Sequence, residues 1–131
     1  MTRQRNDSHS TEFGIWLRKQ GEICSSLGFV ATNLDFIWRN YKTKQWMLLE
    51  EKRFGYNMTY AQRKIFQAMD KCLLNSEGYM GFHFIKFERT GPHDGRMFID
   101  GRECSCDDLI RFLQFKMPRN WYKSLFQKGY R

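Results

Sequence analysis

The chain has 131 residues, a length that fits a single domain over 1–131 with a core of its own. Hydrophobic residues make up 41% and aromatics 17%, which excludes a disordered chain. The net charge of +8 favours a polyanionic partner, nucleic acid before acidic lipid, and no apolar run approaches a membrane span, so an intracellular, cytoplasmic protein is expected.

Residues 1–10 are polar and charged and read as a frayed end without the apolar core of a secretion signal. Phe13, Trp16, Leu17, Ile23, Cys24 and Leu27 follow helical spacing, so one helix is predicted there. Ser10 or Thr11 can cap it and Gly28 can stop it. From Phe29 the pattern changes to "FVATNLDFIW" and "WMLLEEKRF", two runs of β-formers around the polar turn "NYKTKQ". An antiparallel hairpin is the simplest reading.

"MTYAQRKIFQAMDKCLL" predicts a second helix with Ile65, Phe66, Met69, Cys72 and Leu73 as its apolar stripe, and Thr59 and Gln62 at capping-box spacing. "GYMGFHFIKFE" predicts a strand apolar on both sides, hence central or covered. After the loop "GPHDG", "RMFIDGREC" predicts a short strand or ribbon turning at Asp100-Gly101. Ser105 is placed to cap a third helix, "CDDLIRFLQF", and residues 118–131 form a basic, aromatic tail. The order α-β-β-α-β-β-α makes this an α/β or α+β domain with a central mixed sheet flanked by helices.

Cys24 and Cys72 read as small core residues, while Cys104 and Cys106 lack a second Cys or His pair at zinc spacing. Reduced thiols fit a cytoplasmic setting. His9, His83 and His93 are scattered, and His83, in an apolar strand, reads as a packed histidine rather than a ligand.

The acids of the hairpin ask for another explanation. With Lys42-Thr43 as the turn, Asp35 falls opposite Glu50. Opposed residues have Cβ atoms about 4.5–5.5 Å apart, so the two charges repel unless a cation lies between them. Carboxylate oxygens suit Mg²⁺, with Mn²⁺ an alternative in an oxygen-only site. Lys52 shares the Glu50 face and Glu51 points the other way. Two carboxylates and an ammonium on one sheet face suit metal-assisted phosphodiester hydrolysis, whereas an exposed hairpin would use the same residues as cross-strand surface pairs.

Asp35, then fourteen residues, then Glu50-Glu51-Lys52, on two adjacent β-strands, resembles the PD-(D/E)XK nuclease superfamily. "LDFIW" is similar to its first motif and "WMLLEEKR" to its second, although Leu34 stands where the family name records a proline and Glu51 fills the X position. The likeness covers roughly residues 10–90 and is greatest to small single-domain members such as archaeal Holliday-junction resolvases and VRR-type nucleases. It implies that Asp35 and Glu50 ligate the metal, that the Glu51 carbonyl adds to it, and that Lys52 is the catalytic lysine. Glu12 on the first helix and Gln62 on the second match assisting positions. Their other readings are a helix-dipole acid and a cap.

The resemblance implies an Mg²⁺-dependent deoxyribonuclease, an endonuclease on structured or damaged DNA such as junctions; a junction resolvase must cut two strands, so that variant implies a homodimer. The alternative is an inactive nucleic-acid-binding module with the same fold. Arg39, Lys42, Lys44, Arg53, Arg63 and Lys64 surround the acids in sequence and are candidates for phosphate contacts.

Overall fold

The computed structural model describes residues 11–128. The expected frayed start and the last three residues of the tail lie outside the described residues. The chain forms two compact units, Met1–Asn33 and Leu34–Arg131.

In the first unit, α1 spans Glu12–Lys19. Thr11 caps it, its side chain accepting from the Gly14 N–H at 2.9 Å. The predicted single helix stops at Gln20 and continues as 3-10 turns at Gly21–Ile23 and Ser25–Leu27. Gly21 gains least from helical φ/ψ, and the Cys24 thiol and Ser26 hydroxyl bond each other at 3.0 Å instead of continuing the helix. Gly28 ends the last turn at φ 100°, the left-handed stop expected of it.

The second unit is built on one five-stranded sheet in the order β1-β2-β3-β4-β5. The strands are β1 (Phe36–Arg39), β2 (Trp46–Arg53), β3 (Tyr79–Phe87), β4 (Met97–Ile99) and β5 (Arg102–Cys104). β1 and β2 are antiparallel, and α2 (Tyr60–Leu73) carries the chain over to β3, which runs parallel to β2. The predicted ribbon is two strands, β4 and β5, joined at Asp100-Gly101 with φ 51° and 86°, as a two-residue primed hairpin turn requires. α3 (Cys106–Leu113) follows, with Ser105 and Asp108 forming a capping box.

β3 is central, as its two-sided apolar pattern predicts. One face packs Met47, Leu49, Ile85, Met97 and Ile99 against α3 through Leu109 and Phe112. The other packs Leu48, Phe82 and Phe84 against α2 through Phe66. On α2 the helical stripe is partly wrong. Cys72 is exposed, and the buried polar position is Asp70, whose carboxylate accepts from the Tyr79 hydroxyl at 2.5 Å.

The tail belongs to both cores. Trp121 and Tyr122 join the α3 face and Leu125 and Phe126 the α2 face. Between them the chain passes Gly81, where a Cβ would stand 2.8 Å from the Tyr122 carbonyl oxygen. Gly81 has φ 98° and sits where β3 carries one extra residue against β2, the register shifting between Trp46↔Tyr79 and Leu48↔Phe82.

Candidate active site

The hairpin register is the expected one, although the turn is not. Phe36 faces Leu49 and Arg39 faces Trp46, so Asp35, just ahead of β1, stands opposite Glu50. The loop between the strands is wider than two residues. Asn40 closes it by an N–H bond to the Gln45 carbonyl at 2.8 Å, and the Asn40 side chain accepts from the Lys42 and Thr43 N–H groups. Because this loop is centred on Lys42-Thr43, it gives the same pairing as the tight turn.

Asp35 and Glu50 are each held by a backbone N–H from across the hairpin. The Asp35 N–H donates to Glu50 Oε1 at 3.2 Å, and the Glu51 N–H donates to Asp35 Oδ2 at 2.9 Å. Lys52 Nζ lies 3.8 Å from Glu50 Oε2. Glu50 is 1% exposed. Burial, and then the neighbouring Asp35 charge, push its carboxyl up to about 7, against the pull of Lys52. The ionised form of Glu50 is therefore disfavoured beside Asp35, even with the Lys52 ammonium in ion-pair contact.

Three of the expected residues, Asp35, Glu50 and Lys52, thus meet on the α2 face of the sheet. Glu51 is exposed on the opposite face, beside Ile85, so its carboxylate does not join them. Its N–H, and with it its carbonyl, lies on the Asp35 side of β2. Gln62 closes the α2 capping box: its Oε1 accepts from the Thr59 N–H and its own N–H donates to Thr59, both at 3.1 Å. Glu12 belongs to the first unit, in the first turn of α1, where an acid favours the helix dipole.

The basic residues scatter. Lys42 and Lys44 sit in the hairpin loop, five extended residues from Asp35 or about 17 Å. Arg39 lies at that same end of β1. Arg53 follows Lys52 but stands on the Glu51 face. Arg63 lies over the Phe126 ring at 5.8 Å and Lys64 over the Tyr60 ring at 5.8 Å, both in the first half of α2.

Lys86 also adjoins this group, although no spacing in the sequence singles it out. In the β2–β3 ladder it is the neighbour of Lys52, and its Nζ donates to Asn57 Oδ1 at 2.9 Å. A lone cation in "HFIKFE" was the available signal.

Besides Glu50 and Asp70, a third buried carboxylate lies across the sheet. Asp100 Oδ2 is 2.6 Å from His83 Nδ1 and 2.6 Å from Lys128 Nζ, and its Oδ1 accepts from the Phe84 N–H at 2.8 Å. His83 Nε2 faces the Met80 carbonyl at 2.7 Å. With an acceptor at each ring nitrogen, the ring donates twice, as an imidazolium does. Burial alone would raise the Asp100 carboxyl, but the His83 and Lys128 charges hold it below the usual carboxylate range. His83 is the packed histidine the sequence suggests.

The acid pair fits a hard divalent cation. Such an ion would favour the ionised form of both acids, and Mg²⁺ binds through one or two carboxylates, completing its shell with waters and substrate phosphates. Among the described residues no group of three or more His, Cys, Asp or Glu is arranged around a metal position. No protein-family model matches the chain, and neither a curated protein nor a solved structure matches it. Among the described residues no helix is long and apolar enough to cross a membrane.

Proposed function

We propose that this protein is a metal-dependent nuclease of the PD-(D/E)XK type that hydrolyses DNA phosphodiester bonds, with structured DNA such as junctions as its substrate. One observation carries the reading: a buried glutamate sits beside a second carboxylate and a lysine, in surroundings that disfavour its ionised form. A protein that needed only a surface pair would have no use for that burial.

Asp35 and Glu50 would hold Mg²⁺, with the Glu51 carbonyl on the same side of β2. The bound metal would polarise the phosphate and favour loss of a proton from the attacking water. Lys52 would steady charge gathering on the phosphate oxygens; its ammonium lying within 4 Å of Glu50 supports that role. The backbone N–H bonds into both carboxylates fix their orientation before substrate arrives. Gln62 is taken by its cap and contributes through the start of α2.

The test is cleavage of labelled linear, single-stranded and four-way-junction DNA with Mg²⁺, Mn²⁺ or EDTA. Cutting should require metal and vanish in Asp35→Ala, Glu50→Ala and Lys52→Ala. DNA binding without cutting under every condition would support the inactive binding module instead. Neither binding nor cutting would remove the nucleic-acid reading.

A further inference from the structure

The row of side chains beyond Glu50 on the α2 face runs across three strands: Lys52 on β2, Lys86 on β3 and Phe98 on β4. Neighbouring strands lie about 4.8 Å apart, so the two lysine stems rise side by side. Lys52 has Glu50 as its ion-pair partner. Lys86 has only the neutral Asn57 amide, and among the described residues no carboxylate lies within ion-pair distance of it. Like charges on adjacent strands cost stability, and an anion between them reverses the sign. The row continues as an aromatic surface. The Phe98 and Phe54 rings lie 5.7 Å apart, and the Arg96 guanidinium stands 5.6 Å from Phe54 and 5.8 Å from Phe98.

We propose that Lys86 is a substrate-binding residue of this same site: with Lys52 it grips a backbone phosphate of the nucleic-acid strand and directs that strand over Phe98 and Arg96. The assignment rests on the nuclease reading. It adds that the strand leaves the acid pair across β3 and β4, away from the hairpin loop that carries Lys42 and Lys44. An ammonium is suited to this contact as a point charge on a long stem, held near its working position by Asn57.

The experiment measures binding of a labelled DNA duplex to the full chain in EDTA as salt is varied, and cleavage with Mg²⁺. Loss of one phosphate contact lowers the slope of log affinity against log salt by about 0.9. The affinity deficit of Lys86→Gln should therefore shrink about 3.5-fold between 50 and 200 mM salt. Lys86→Arg should keep the wild-type slope, and Lys86→Met serves if the Gln variant does not fold. Asn57→Ala removes the tether but keeps the charge, and should also keep the slope. If Asn57→Ala reproduces the Lys86→Gln change, Lys86 merely anchors the loop and the proposal falls. Wild-type slope and kcat/KM in Lys86→Gln, with cleavage still abolished by Asp35→Ala, would overturn Lys86 and leave the nuclease standing. A wild type that neither binds nor cuts would overturn both.

Discussion

Glu50 and Asp100 are both carboxylates buried at the sheet, and they are solved in opposite ways. Asp100 has a cation on each side and a backbone N–H, and is held below the usual carboxylate range. Glu50 has a second acid beside it and one lysine at 3.8 Å, and is pushed up to about 7. A fold can complete a charge network, as it does at Asp100, where the partner Lys128 is supplied by the far end of the chain. Leaving Glu50 incomplete costs stability in the metal-free protein. Under the proposed function, that cost is what the arriving metal would offset.

The contrast can be broken most sharply at Asp100. Asp100→Asn leaves the buried His83 ring and the half-buried Lys128 ammonium facing a neutral amide, and should lower stability by about 3–5 kcal/mol in a denaturant melt. Its pH dependence has a definite sign. The carboxyl is lowered on folding, so its stabilisation is present above the ordinary aspartate pKa and fades as pH falls through the folded value. The wild type should lose stability on acidification more steeply than Asp100→Asn.

Glu50 should behave in reverse. Its carboxyl is raised on folding, so the metal-free protein is favoured below about 4.5 and loses that advantage as pH climbs through about 7. Glu50→Gln should flatten this fall and stabilise the metal-free protein at pH 8 by about 2 kcal/mol, read from thermal melts in EDTA. The same variant should lose metal-dependent cleavage by on the order of 100-fold or more. A stabilised but inactive variant is the outcome that separates a functional acid from a structural one. An unchanged or lowered stability at pH 8 would put Glu50 in the same class as Asp100.

The smallest effect belongs to Gln62. As the reciprocal half of a capping box, its replacement by Ala should cost about 1 kcal/mol and leave kcat within a few-fold. A large fall in kcat at unchanged stability would return it to the chemistry.

Much of this was legible in the sequence because it depends on local symmetry. The pairing of Asp35 with Glu50 follows from where the hairpin is centred, so it survives the wider, Asn40-closed loop. Asp100-Gly101 announced its turn, and Ser105 and Thr59 their helices. The rest depends on contacts distant in the chain. Asp100 looked like a turn residue because its partners His83 and Lys128 come from elsewhere. Lys86 was invisible as a site residue because a parallel register is set by the crossover and not by a turn. Asp70 took the buried place expected for Cys72 because Tyr79 supplies its donor. The first helix is shorter than its apolar spacing suggests, because that spacing runs on past Gly21 while the α-helical backbone does not.

The extra residue of β3 at Gly81 has a consequence for how this surface is composed. Ahead of it, β2 and β3 are offset by 33 positions, as in Trp46↔Tyr79; beyond it they are offset by 34, as in Lys52↔Lys86. At the earlier offset, Lys52 would stand beside Ile85. The bulge is thus a phase shift in the strand's two-residue alternation. It decides, from five positions upstream, whether oil or charge adjoins the acid pair. A single-residue deletion there is a frame change for the whole downstream strand, altering the chemistry of the site while touching none of the residues in it.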